Sequence, residues 1–334
     1  MSKNEGVEVE SLRTRITDLL QIQYPIICGG MFRVGRALLA ASVSEAGGLG
    51  IITSATFQTA EDLRKEIRLA KEITNKPIAV NINLFPSARK VPNEEYINVL
   101  LEEGIRIVET AGRSPEQYMK VLKDNGVFVI HKVPGVKYAK KAEDLGCDAV
   151  TIIGFEAGGH PGMDEVGNVV IVPQTVDAVN IPVIAGGGIS DGRGVAAMLA
   201  LGAEGVVMGT RFLATQECII HDNIKNWMIQ ASEMDTSLIQ KSIGSATRAA
   251  RNEVALQVLE AEKRGVTLEE LMPLISGKRA EKVYSEGDFH AGIWSCGQSV
   301  GLIKDVPKVQ ELMNRIVFDA KQVIKKMNRI ANAK

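Results

Sequence analysis

The 334 residues predict a (β/α)8 barrel of the TIM class, and three observations carry the prediction. Eight short, β-rich apolar runs begin near Pro25, Leu49, Pro77, Ile105, Val127, Ala149, Pro182 and Gly205, with 22 to 33 residues between successive starts. Helical patterns fill the intervals. Glycine-rich motifs follow several of the runs, where a barrel builds its binding loops.

The strands read as continuous apolar stretches without alternation, as expected when helices cover the outer face of a parallel sheet. Helices are expected at 37–46, 60–73, 94–103, 115–125, 136–145, 172–179 and 192–201. Glu103-Gly104, Asn125-Gly126 and Leu145-Gly146 supply C-caps just before the next strand. A doubly wound sheet is the competing architecture. No GxGxxG opens the first βα unit, however, and Gly186-Gly187-Gly188-Ile189-Ser190-Asp191 lacks the final glycine.

After Arg211 the period changes. Helices are expected at 223–232, 253–264 and 268–275 without intervening strands, forming a cap over the barrel mouth. The expected organisation is therefore a barrel made from residues 11–215 and 291–334, with a helical substrate or cap region at 216–290. Val309, Leu312, Met313, Ile316, Val317, Ala320, Val323, Ile324 and Met327 keep helical spacing to the end of the chain. That helix packs on the barrel wall or, as an alternative, forms a homodimer contact.

Lys plus Arg is 39 and Asp plus Glu is 40, so a net charge of −1 gives no electrostatic footprint for nucleic acid or an anionic membrane. A small-molecule substrate or a second copy of the chain is the expected partner. Glu5, Glu8 and Glu10 interrupt any signal-peptide core, and no run is long and apolar enough to span a bilayer. Cys28, Cys147, Cys218 and Cys296 are too scattered for a zinc site or a disulfide framework. Cytoplasmic residence and no metal are the resulting expectations.

His160 is the expected catalytic residue. It stands in Glu156-Ala157-Gly158-Gly159-His160-Pro161-Gly162, directly after the sixth strand, and neighbouring glycines leave few side chains to bury it. It would serve as an acid, a base or a hydrogen-bond donor, with Glu156 either orienting it or solvated. Gly186, Gly187 and Gly188 after the seventh strand, with Gly209 and Thr210 after the eighth, form the expected phosphate cradle, the alternative being turn geometry alone. Gly29, Gly30 and Met31 end the first strand. Asn81 is either a heterocycle ligand or a core amide, and Lys132 either a cation at the mouth or an exposed lysine. Trp294 reads first as packing. A nucleophilic role for Cys28 or Cys296 has no neighbouring histidine to support it.

These motifs resemble the FMN-dependent nitronate monooxygenase-like barrels, a group that includes NADH:quinone reductases and type II enoyl-acyl-carrier-protein reductases. The resemblance runs from Pro25-Ile26-Ile27-Cys28-Gly29-Gly30-Met31 through Val80-Asn81, Glu109-Thr110-Ala111-Gly112, His131-Lys132 and the His160 loop to Met208-Gly209-Thr210-Arg211-Phe212. It implies one FMN, its phosphate on Gly186 to Gly188 and Gly209-Thr210, its ring near Gly29, Gly30, Met31, Asn81 and Lys132, with Gly158 and Gly159 also binding the cofactor. His160 would face the substrate side. Segments 214–221, 247–252 and 292–295 look most like the NADH:quinone reductase branch. The implied activity is reduction of FMN by NADH or NADPH, followed by reduction of a quinone or an activated alkene, including an enoyl thioester. Oxidation of alkyl nitronates with O2 is the alternative, and a phosphate-binding sensor without catalysis is a third reading. Gly186 and Ala157-Gly158 depart from the usual residues, which leaves substrate choice open.

Overall fold

In the computed structural model, which describes residues 12–85 and 91–333, the apolar runs become eight strands. They are β1 (Ile26–Cys28), β2 (Leu49–Thr53), β3 (Ile78–Asn83), β4 (Ile107–Ala111), β5 (Phe128–Val133), β6 (Ala149–Ile153), β7 (Val183–Gly186) and β8 (Gly205–Met208). Each lies parallel to the next, and β8 pairs with β1 to close the barrel. Strand residues point alternately in and out. One set, including Ile27, Leu49, Ile51, Ala79, Ile107, Ile130, Ala149, Ile184 and Val207, shares an apolar cluster inside the barrel. The other, including Cys28, Ile52, Val80, Val108, Val129, Val150, Ala185 and Met208, packs outward into the larger core with the helices.

A short helix unforeseen in the sequence, α1 (Arg15–Leu20), places Ile16 and Leu20 in the interior cluster and so stoppers the N-terminal end of the barrel. Its first turn is held by Thr17 Oγ1, which accepts from the Thr14 amide at 3.0 Å. The surrounding helices are α2 (Ala37–Glu45), α3 (Ala60–Ile73), α4 (Asn93–Glu102), α5 (Glu116–Asp124), α6 (Val136–Asp144), α7 (Asn168–Val176) and α8 (Gly192–Ala200). All but α7 lie within a residue or so of expectation. Helix α7 starts four residues early, at Asn168, because Pro173 sits inside it and does not begin it. The carbonyl left without that proline's donor belongs to Val169, which is exposed, so water can take it.

Beyond β8 come α9 (Thr210–Leu213) and α10 (Asp222–Gln230), then an antiparallel hairpin of β9 (Thr236–Ile239) and β10 (Thr247–Ala250). This hairpin corrects the expectation of a strandless insertion. Thr236 to Ile239 is only partly apolar, and Gly244 at φ 69° in its connection takes the left-handed turn conformation. Helices α11 (Glu253–Glu262), α12 (Leu268–Ile275) and α13 (Gly277–Glu286) follow. Asn252 caps α11 through the Ala255 amide at 2.9 Å, and Thr267 with Glu270 makes a capping box on α12. Helix α14 (Val309–Ala331) returns along the wall, with Val309, Leu312, Met313, Ile316, Val317 and Ala320 buried. Among the described residues no helix is long and apolar enough to cross a membrane.

Candidate active site

Inward-pointing positions toward the C-terminal ends of β3, β4 and β5 carry an amide, a carboxylate and an ammonium, flanked by Thr53 on β2 and Thr151 on β6, above an apolar interior. Asn81 and Glu109 are register partners on adjacent strands, and Lys132 follows one strand on. Asn81 Nδ2 donates to Glu109 Oε1 at 2.7 Å, and Lys132 Nζ lies 3.0 Å from the same carboxylate. Glu109 is 1% exposed and Asn81 4%, whereas Lys132 is partly open toward the mouth. Asn81 is therefore a core amide, but a side-chain carboxylate holds it in place of the backbone.

Gly29 and Gly30 lie against this group. A Cβ on Gly30 would stand 2.7 Å from Asn81 Cβ and 2.9 Å from Glu109 Oε1, and one on Gly29 would stand 2.7 Å from Val207 Cγ2. Only glycine fits at either position. Met31 reaches across the rim, its Sδ 3.5 Å from where a Gly209 Cβ would be.

At the ends of β7 and β8 the backbone supplies donors. Gly187 and Gly188 have φ of 97° and 71°, and no acceptor among the described residues takes the amides of Gly187, Gly188, Gly209 or Thr210. Asn168 at the start of α7 fixes the turn, donating Nδ2 to the carbonyls of Gly186 at 3.2 Å and Gly187 at 2.5 Å. Asp191 caps α8, accepting from the amides of Arg193 and Gly194, so that helix N-terminus already holds a carboxylate. Thr210 Oγ1 accepts from the Gly297 amide at 2.9 Å and keeps its own proton for another acceptor. A cradle of unpaired amides between two strand ends suits a phosphate.

The β6 loop is laced to the insertion and to the segment that follows it. Gly159 and Arg248 exchange backbone hydrogen bonds, and Gln298 N donates to Glu156 O at 3.0 Å. Gly158 is needed for this packing, since a Cβ there would meet Gly297 N at 2.7 Å, while Gly159 adopts φ 80°. These protein contacts account for both glycines. His160 follows them, exposed on its open side, its ring stacked on Phe85 at 4.6 Å and 28°. Surrounding protein partly desolvates the imidazole and draws its pKa below the ordinary value, favouring the neutral form. Glu156 does not orient His160: its carboxylate accepts from the Asn168 amide at 3.2 Å and lies over Gly188. A carboxylate that bonds the first amide of α7 also meets the favourable end of its dipole.

The remaining candidates belong to packing. Trp294 is buried with Trp227 and Phe289 in an edge-to-face cluster. Cys28 and Cys296 are buried, and desolvation pushes both thiols up, away from thiolate character. Among the described residues no group of acidic, histidine or cysteine side chains could hold a metal. The basic pair Arg89 and Lys90 in the 84–93 loop, which by sequence either helps hold a dinucleotide phosphate or is a solvated surface, lies outside the described residues. Glu109 was missed as a site residue, although an acid in the strand Ile107-Val108-Glu109 was the available signal. Arg248 was likewise missed. It is buried over the Phe155 ring at 4.5 Å and donates to Phe155 O at 3.2 Å, bracing the loop that carries His160.

A family model described as nitronate monooxygenase matches residues 13–319. The chain belongs to the nitronate monooxygenase family. Members of this family are oxidoreductases. The chain is 35% identical to a (3aS,4S,5R,7aS)-5-hydroxy-7a-methyl-1-oxo-octahydro-1H-indene-4-carboxyl-CoA dehydrogenase of Rhodococcus jostii, covering 93% of this chain and 97% of that one. It is 31% identical to a probable nitronate monooxygenase of Staphylococcus saprophyticus, covering 95% and 99%. Among solved structures, FabK from Thermotoga maritima superposes with a TM-score of 0.89 at 39% identity, covering 95% of this chain and 99% of that one.

Proposed function

We propose that this family member is an FMN-dependent oxidoreductase that is reduced by NADH or NADPH and passes the electrons to a quinone or an activated alkene, enoyl thioesters included. The observation that carries the reading is the unpaired amide cradle of Gly187, Gly188, Gly209 and Thr210 on the same rim as Lys132, Asn81 and His160. The glycines at 29 and 30 let the backbone lie directly against Val207, Asn81 and Glu109, a low floor that suits a flat ring. When bound, FMN would supply the two-electron chemistry.

The chain's own residues would supply aim and charge. Backbone amides of the cradle and the Thr210 hydroxyl would hold the phosphate. Lys132 would place a cation where negative charge gathers on reduction. His160, neutral near pH 7 through its desolvation, carries an N–H on one ring nitrogen and a lone pair on the other. It would give or take the proton that accompanies electron transfer to substrate. Phe85 holds the imidazole plane and limits water on one face.

The name of the Rhodococcus relative, a CoA-thioester dehydrogenase, favours the thioester form of the acceptor. Nitronate oxidation is the second reading, and the description of the family model favours it. Purified protein should be yellow from FMN, and anaerobic mixing then separates the readings through flavin absorbance. Bleaching by NADH or NADPH with none by an alkyl nitronate supports the proposal. Bleaching by nitronate alone overturns it in favour of the monooxygenase.

A further inference from the structure

Lys132 is not a free cation. Its ammonium shares Glu109, at 3.0 Å, with the Asn81 amide at 2.7 Å, and the carboxylate is buried at the inner wall of the barrel. We propose that Glu109 is a positioning residue that sets both the aim and the net charge of this polar group, and thereby how much more tightly the protein holds reduced than oxidised FMN. The proposal rests on the flavin reading above and adds to it a residue with no place of its own in that mechanism.

The geometry assigns Glu109 two effects. An ionised carboxylate only accepts, so Asn81 must turn its NH2 toward it and present Oδ1 elsewhere as an acceptor. The same carboxylate takes one of the three N–H donors of Lys132, which fixes the direction of the other two. Its second effect is charge. At 3.0 Å the carboxylate offsets most of the ammonium's field, and the low-dielectric interior weakens that offset less than water would. Gly30 keeps the carboxylate seated, since any side chain there would meet Glu109 Oε1. Removing the carboxylate leaves Lys132 uncompensated. An uncompensated cation favours the more negative, reduced flavin.

Holoprotein of wild type, Glu109→Gln, Lys132→Gln and the double variant is titrated spectroelectrochemically, and FMN dissociation constants are measured before and after reduction. Glu109→Gln is expected to shift the preference toward reduced FMN by about tenfold, a rise of about 30 mV for a two-electron couple. Lys132→Gln should shift it the other way, and the double variant should return to within about threefold of wild type. Equal preferences in wild type and Glu109→Gln, and again in Lys132→Gln and the double variant, would overturn the proposal while leaving the flavin reading standing. If Glu109→Gln does not fold, the comparison of Lys132→Gln with the double variant decides alone, equality counting against Glu109. A wild-type protein that takes up no FMN would overturn the cofactor reading and this proposal together.

Discussion

His131 points outward from β5, where Thr110 Oγ1 lies 2.8 Å from its Nδ1 and helices cover the ring. Burial pulls its pKa down to about 4, against a smaller opposing effect of Thr110. An unfolded chain would protonate this histidine near pH 6.5 while the folded one does not. The stabilising contribution is therefore complete above about pH 6.5 and falls as pH drops toward 4. Between pH 7 and pH 5 the loss from this group should be about 2 kcal/mol. Urea unfolding at the two pH values checks it: His131→Gln should reduce the pH dependence by that amount, and an unchanged dependence would exclude the assignment. His160 differs because one side of its ring is open to solvent and no described side chain other than Phe85 stacks on it. His160→Ala should retain FMN, with turnover slowed by about ten- to ten-thousand-fold. Steady-state rates with the flavin content held equal test this, and an unaltered rate would remove His160 from the chemistry.

Helices α8 and α14 approach closely enough that one hydrogen atom decides the fit. A Cβ on Gly192 would come 2.3 Å from Ala320 N and 2.5 Å from Ile316 O, both backbone atoms of α14. Backbone cannot move aside as a flexible side chain can. Gly192→Ala should cost about 1 to 3 kcal/mol through overpacking, read as a lower midpoint in denaturant unfolding. A variant as stable as wild type would mean that α14 shifts freely. At the same scale the limits of sequence reading become physical. The apolar runs of β1 to β8 announce themselves because each is buried on both faces. Helix α1 hides, since only Ile16 and Leu20 of its turn reach the core and the polar residues around them mask the period. The start of α7 was misjudged because Pro173 usually opens a helix and here lies within one. The hairpin of β9 and β10 carries Thr, Ser and Arg, a composition that reads equally well as loop. In the site, the glycine-rich strand ends were legible because close approach demands glycine. The linkage of Asn81, Glu109 and Lys132 was not, because the order of neighbours around a barrel and the inward face of each strand appear only on closure.

At the scale of the whole chain, the insertion and the barrel are bound through both backbone and side chains. Gly159 pairs with Arg248, Arg248 Nε donates to Phe155 O, Ala250 N donates to Trp294 O, and the segment that follows the insertion reaches the cradle itself, where Gly297 N donates to Thr210 Oγ1. The insertion's separate core cluster centres on Ile239, Ala249, Ala255, Val258, Ala261 and Leu271, too few and too small to offset the entropy of ordering that region alone. The two regions should therefore unfold together. The sequence provides the probe, since its only two tryptophans, Trp227 within the insertion and Trp294 just after it, lie 5.3 Å apart. Far-UV circular dichroism is dominated by the helices around the barrel. In urea, tryptophan fluorescence and circular dichroism are expected to give coincident transitions. A fluorescence change completed at lower denaturant, with the helical signal intact, would mean that the insertion opens first. In that case the β6 loop would lose its pairing with Arg248 while the strand beneath it remained folded, and His160 would be the first part of the site released.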